Sequence, residues 1–194
     1  FKTSDYRAMV DEVRDRERLA EPVGLLDPDR QDLGVIAGHE HQRHVAPALA
    51  VLMTVGGTPS IYEGDEQGFT GVKEDRENGD DAVRPPFPEA PAGLMPYGWP
   101  TYHLHRELVG LRRRHSWLHG ARTRAVHLSN EAYAYEAADG DRKLLVCLNA
   151  GDTAAAIPVP HGKAVLSGTA DLDGPGDAGA VARLGPHSYA ILDM

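Results

Sequence analysis

The run from Gly56 to Phe69, GGTPSIYEGDEQGF, constrains this chain more than any other stretch. Gly56, Gly57 and Pro59 predict a tight turn, because glycine reaches backbone angles closed to other residues and proline presets φ. Ser60–Tyr62 reads as a very short buried strand, followed by Gly64 and two adjacent carboxylates, Asp65 and Glu66. An apolar stretch, 46–55, comes just before the turn. Helix, turn, short buried strand and then acidic residues is the order found in (β/α) barrels, whose sites lie at the C-terminal ends of the strands.

The remaining pattern falls into two halves. Thr3, Ser4 and Asp5 supply N-cap chemistry for a first helix carrying Tyr6, Met9, Val10 and Val13 at helical spacing, with Pro22 helping to end it. Val35–Ala37, between Gly34 and Gly38, reads as a buried strand. A second helix is expected over 43–55, apolar nearly all round and therefore largely buried. A third is expected over 101–115, with Leu104, Leu108 and Leu111 on one face. Between them, 63–100 is rich in proline, glycine and acid, with little periodicity. A loop this long in a compact domain is usually functional or disordered. After Gly120 the pattern changes to short alternating segments. Strands are expected over 122–128, 132–137, 143–149, 154–158, 163–167, 179–184 and 188–192, with turns at Asp139-Gly140 and at 149–152. That spacing predicts a small antiparallel sandwich. The boundary falls near His119, giving domains 1–119 and 120–194.

The wording of the Gly56–Phe69 run resembles the last barrel strand of the α-amylase family of glycoside hydrolases, family thirteen, which typically reads G-x-P-x-x-Y-x-G-[DE]-E. Ala48–Thr54 is similar to the family's seventh barrel helix, and Leu108–Leu118 to its last. Gly79–Pro88 resembles the Arg-Pro loop after the last strand in amylase, trehalose-synthase and oligoglucosidase relatives. Gly185–Leu192 resembles the closing strand of the family's C-terminal β-domain. The motifs cover 43–194 in order. The resemblance implies the C-terminal part of a (β/α)8 TIM barrel followed by an antiparallel β-sandwich, and thus a mixed α/β plus all-β chain. The activity it implies is that of a retaining hydrolase or transglycosylase acting on α-glucosidic bonds of α-glucans or maltooligosaccharides. The alternative is a non-catalytic carbohydrate-binding or partner-completing module.

A complete barrel needs about 250 residues, whereas this chain has 194 and begins with Phe1. In the family the nucleophilic aspartate and the acid/base glutamate end the fourth and fifth strands. The expectation is therefore that both lie outside this chain, on a missing N-terminal barrel segment that is also its natural partner. Retaining glycosidases hold two carboxyl groups about 5–5.5 Å apart across the scissile bond. Asp65 and Glu66 are adjacent in sequence, and spacing alone does not set them on opposite faces of a sugar. The resemblance makes them structural and substrate-shaping residues.

Two further candidates rest on the resemblance. Gly38-His39-Glu40 reads as an altered form of the family's seventh-strand Asn-His-Asp, making His39 and Glu40 weak catalytic candidates; an alignment starting the helix at Arg43-His44 leaves that motif without a counterpart. Arg84 matches a loop arginine that reaches the sugar cleft; guanidinium groups offer planar, directional donors to hydroxyls. Pairing of Arg84 with Asp80 or Asp81 is the structural alternative. Tyr97 and Trp99 are open as sugar-stacking residues, while Trp117 is expected in the core between barrel and sandwich. His39, His41 and His44 also admit a metal reading, but no cysteine or second pair completes a known ligand spacing, so no metal and no cofactor is expected.

Composition adds exclusions. Net charge is −9 with 25% charged residues, which argues against nucleic acid as a partner, since that needs a basic patch. The basic cluster Arg112-Arg113-Arg114 is expected to be a solvated helix end complementing the dipole. Cys147, in an apolar run, is expected as a buried thiol, and one cysteine forms no internal disulfide. No apolar stretch reaches the roughly 18 residues of a membrane span. The compartment stays open, with a cytoplasmic one favoured.

Overall fold

Strand pairing explains most of the architecture. The computed structural model describes residues 43–69, 77, 86–160, 164–173 and 179–194. Among the described residues two α-helices come first, α1 (Val45–Thr54) and α2 (Trp99–Arg114). Eight strands follow: β1 (Arg122–Leu128), β2 (Ala132–Asp139), β3 (Arg142–Asn149), β4 (Ala155–Val159), β5 (Ala164–Gly168), β6 (Asp171–Asp173), β7 (Ala180–Leu184) and β8 (Ser188–Asp193). One sheet has the order β1-β2-β3-β8-β5 and the other β4-β7-β6, with every pairing antiparallel. Gly140, at φ 62°, lets the chain reverse between the paired Asp139 and Arg142. The seven expected strands are all present within two residues at each end; only the three-residue β6 carries too little pattern to be seen in advance.

The larger sheet is covered on both faces. Along its central strands, Tyr135, Ala137, Leu144, Val146, Tyr189 and Ile191 point one way and pack on Leu49, Met53, Leu108, Leu111 and Leu118 of the helical half. The alternate residues Ala132, Ala134, Leu145, Cys147, Ala190 and Leu192 point the other way, onto Ile157, Val159, Ala182 and Leu184 of the smaller sheet. A strand's period of two makes this division automatic. Because both faces are buried, β3 and β8 read as continuous apolar runs. Cys147 is fully buried, and burial pushes its thiol up to about 12.

Hydrogen bonds tie the helices to the sheet. Thr54 Oγ1 lies 2.5 Å from Tyr135 Oη, both buried. Ser167 Oγ donates to Glu107 of α2 and meets Tyr189 Oη at 2.9 Å. The Gly56-Gly57 turn abuts the start of the sandwich: Gly57 N donates to His119 O at 2.9 Å, and a Cβ on Gly56 would sit 2.3 Å from Ala121 O. Trp117 packs against the shared core, as expected.

Several expectations need correction. Ser60–Tyr62 is neither a strand nor buried: among the described residues no strand runs beside it, and Ile61 and Tyr62 are exposed. An extended segment becomes a strand only through a hydrogen-bonded neighbour, which composition does not supply. Arg112 is not a solvated end of α2. It is half-buried and donates to the carbonyls of Met53 (2.8 Å), Val55 (2.9 Å) and Gly57, capping the C-terminal end of α1; burial lowers its pKa. The first helix near Tyr6, the Val35–Ala37 strand, His39, Glu40 and Arg84 lie outside the described residues.

Candidate functional site

The acidic turn is shaped by its glycines. Gly64 and Gly68, at φ 97° and 58°, bracket one 3-10 turn, Asp65–Gln67. Backbone bonds from Gln67 N to Gly64 O (3.0 Å) and from Gly68 N to Asp65 O (3.0 Å) close it. Gly64 also lies so close to Phe69 that an added Cβ would reach 2.6 Å from its ring. Phe69 in turn packs on Phe87, with ring centroids 4.9 Å apart. Glu66 Oε2 accepts the Gly64 N–H at 3.1 Å, which fixes its carboxylate across the turn.

A second stretch closes on this turn from the α2 side. Pro96–Gly98 forms a 3-10 turn that runs directly into α2, with Pro100 in its first turn. Gly98 is buried against the acidic turn: a Cβ there would be 2.4 Å from Gln67 O. On the next turn, Trp99, Tyr102 and His103 cluster; Trp99 and Tyr102 meet edge-to-face at 5.7 Å, and Arg106 lies over the Tyr102 ring.

Between the two stretches is a pocket of about 320 Å³, lined chiefly by Glu66, Gln67, Phe87, Leu94, Trp99 and Tyr102. Trp99 is 38% exposed, and Tyr97 and Met95 beside it are more so. Gln67 is buried, and its carboxamide Oε1 has no hydrogen-bond donor among the described residues. Asp65 is outside this lining and within electrostatic reach of His105, a buried histidine whose Nδ1 bonds Thr101 O at 2.8 Å. Although Asp65 is exposed as a residue, partial burial of its carboxyl raises its pKa; a backbone hydrogen bond from Tyr62 and the nearby His105 act in the opposite sense.

The turn thus places Asp65 and Glu66 in different surroundings. Trp99 joins Glu66 at the pocket, whereas Tyr97 lies outside its lining. Gln67, Phe87 and Tyr102 were missed by sequence reasoning. Trp99 and Tyr102, three apart on α2, were the available signal, since that spacing puts two residues on one helical face. Among the described residues no group of three or more His, Cys, Asp or Glu could hold a metal, and no helix is long and apolar enough to cross a membrane.

The chain matches no family model. It is 31% identical over 145 residues to the cyclomaltodextrin glucanotransferase of Geobacillus stearothermophilus, covering 75% of this chain and 18% of the relative. A second enzyme of that name, from Thermoanaerobacterium thermosulfurigenes, is 29% identical over 121 residues, covering 62% and 16%. Its fold aligns with the debranching enzyme of Nostoc punctiforme at a TM-score of 0.64 and 20% identity, over 98% of this chain and 40% of that one. The trehalulose synthase MutB of Pseudomonas mesoacidophila MX-45 aligns at 0.61 and 19% identity, over 78% and 38%. The chain is similar to members of the α-amylase family of glycoside hydrolases over about 79% of its length. It spans less than a fifth of the length of the curated α-amylase-family relatives it matches. Its antiparallel sheets match the C-terminal β-domain of α-amylase-family enzymes.

Proposed function

We propose that the chain is the C-terminal portion of a retaining enzyme acting on α-glucosidic bonds of α-glucans or maltooligosaccharides, by hydrolysis or by transglycosylation. In this reading 1–119 closes a (β/α) barrel, with α1 and α2 as its last two helices, and 120–194 is the sandwich that follows. Asp65, Glu66 and Arg84 face substrate, and the nucleophile and acid/base come from a barrel segment outside the chain.

The observation that carries this reading is the acidic turn beside an aromatic pocket at the start of α2. In a barrel the loop between strand and helix opens on the active-site face. Glu66 meets that pocket with no opposing carboxylate in its lining. A retaining pair must flank the sugar from two sides, so this chain supplies one wall. The same observation suits the alternative, a non-catalytic carbohydrate-binding or partner-completing module.

Turnover separates the two. The full reading frame containing this chain should cleave or disproportionate maltoheptaose with retention at the anomeric carbon, followed by proton NMR of the first product. The 194-residue chain alone should show no turnover above buffer. Activity of the short chain that survives repurification and depends on one of its own carboxylates would overturn the assignment of the catalytic pair elsewhere. A full reading frame inert towards α-glucans would leave the binding module.

A further inference from the structure

We infer that Asp152, in the loop between β3 and β4, is a positioning residue: with His187 it forms a clasp on Arg43 and His44 that sets where the chain enters α1. Its consequence for catalysis rests on the α-glucan reading above, while the clasp itself rests on geometry alone.

One carboxylate oxygen is shared by the two halves of the molecule. Asp152 Oδ1 accepts from Arg43 Nη1 at 2.9 Å and from His187 Nε2 at 2.8 Å. The imidazoles of His44 and His187 meet edge-to-face, with ring centroids 4.8 Å apart. Arg43 and His44 stand immediately ahead of α1, and His44 O accepts the N–H of Ala48 at 3.1 Å, a bond of the helix's first turn. Moving His44 therefore disturbs the start of the helix.

The sandwich side of the clasp is built in advance. His187 has φ 46°, a left-handed backbone at a turn position that glycine or asparagine normally takes. Such strain persists only where the surroundings over-determine it. Here His187 N donates to Gly151 O at 3.2 Å. The buried Asn149 joins both loops: its Nδ2 donates to Thr153 O (2.7 Å) and Gly185 O (2.8 Å), and its Oδ1 accepts the Gly151 N–H (3.0 Å). The second ring nitrogen of His187, Nδ1, is buried without a hydrogen-bond partner among the described residues, so Asp152 supplies the bond that orients the ring. Yet the Asp152 side chain is 79% exposed, and an exposed ion pair adds little to stability. So much local order around a contact of so little worth to folding marks geometry as what it maintains.

The sandwich meets α1 at both ends. Beyond its C-terminal end Gly57 N donates to His119 O, and at its start lies the clasp. In a (β/α) barrel the chain entering a helix comes from the C-terminal end of a strand, on the active-site face. On the α-glucan reading the clasp borders that face, and Gly38-His39-Glu40, just ahead in sequence, are the residues that resemble the seventh-strand motif. A misplacement on the order of 1 Å in such a site costs up to about 100-fold in rate.

The test measures maltoheptaose turnover by the full reading frame and hydrogen exchange in the 194-residue chain. Asp152→Ala should lower kcat by about ten-fold, with KM within about two-fold and the thermal midpoint unchanged. Asp152→Glu keeps the charge at an exposed position and should recover most of that loss. Arg43→Ala should add nothing further in the Asp152→Ala background, because both remove one contact. In the 194-residue chain the Ala48 amide should exchange faster in Asp152→Ala, while those of β3 and β8 keep their protection. Wild-type kcat in Asp152→Ala, or losses that multiply in the double variant, overturns the positioning role while turnover upholds the α-glucan reading. A lowered midpoint with no recovery in Asp152→Glu overturns it as well, leaving a merely structural contact. A reading frame inert towards α-glucans removes that reading and the catalytic consequence together; faster exchange at Ala48 then upholds the clasp, and unchanged exchange overturns it too.

Discussion

Gly56 and Asp65 show how single residues set this structure, and each admits a direct test. Gly56 has no room for a side chain, because a Cβ would lie 2.3 Å from the backbone oxygen of Ala121. Backbone does not rotate aside as a long side chain does, so Gly56→Ala must part the turn from the sandwich. The expected loss is about 1–3 kcal/mol, the range for overpacking, read as a lower thermal midpoint. An unchanged midpoint would mean that the turn and residue 121 move apart freely. Asp65 is a test of electrostatics. Burial raises its carboxyl above the ordinary 3.8, so the folded chain binds that proton more tightly than the unfolded chain does. Stability contributed by this group is therefore greatest at low pH and is lost as pH rises from 3.8 through the raised folded value. Asp65→Asn should melt at or above wild type at pH 7, with the difference shrinking towards pH 4. A variant that melts lower at pH 7, with the deficit vanishing in acid, would show that the His105 attraction outweighs burial.

At the scale of elements, legibility followed from what each pattern depends on. The strands after Gly120 alternate between two buried faces, a local and strictly periodic signal, and they were readable to within two residues. The sandwich class followed from their spacing. Ser60–Tyr62 failed because strand identity belongs to the pair and not to the segment. At the site, the glycine-bracketed acid pair was visible as a motif, and Trp99 stood with Tyr97 as an open sugar-stacking candidate. Gln67 and Phe87 were not, since only the close approach of Gly98 and the Phe69–Phe87 contact bring two separated loops together. Arg112 was the clearest misreading: three consecutive arginines look like a solvated helix end. Which of them turns inward is decided by the phase of α2 against α1. Its guanidinium serves three carbonyls at the end of α1, where helix geometry leaves acceptors unmatched. Arg112→Met keeps the length and removes every donor, and should lower stability by about 1.5–3 kcal/mol, as expected for hydrogen bonds to a charged group. Arg112→Lys should fall between, because an ammonium does not reproduce the planar fork. Chemical denaturation of the three proteins checks the order; equal midpoints would reduce the cap to a surface contact.

For the whole molecule the decisive feature is that one sheet serves two cores. Tyr135, Val146, Tyr189 and Ile191 belong to the face that carries the helices, while Leu145, Cys147 and Leu192 belong to the face inside the sandwich. A chain shortened to residues 120–194 keeps every strand found among the described residues and both sheets, yet loses the cover over the first of these faces. It also loses the partners of Tyr135 and Ser167, Thr54 and Glu107. Each large apolar side chain returned to water costs about 1.5–3 kcal/mol, and a domain of this length has only a few kcal/mol in hand. The shortened chain should therefore keep strand content in far-UV circular dichroism while losing fixed aromatic signals, binding a hydrophobic dye and associating at micromolar concentration. The chain from residue 43 onward should instead melt in a single cooperative step, with helix and strand signals lost together. Monomeric 120–194 with a midpoint equal to that of 43–194 would show that the sandwich core alone holds the fold and that the helices merely rest on it. The physical question behind the comparison is whether the exposed tyrosine and aliphatic face is tolerable without its helices, and the buried Thr54–Tyr135 bond says that it is built to be covered.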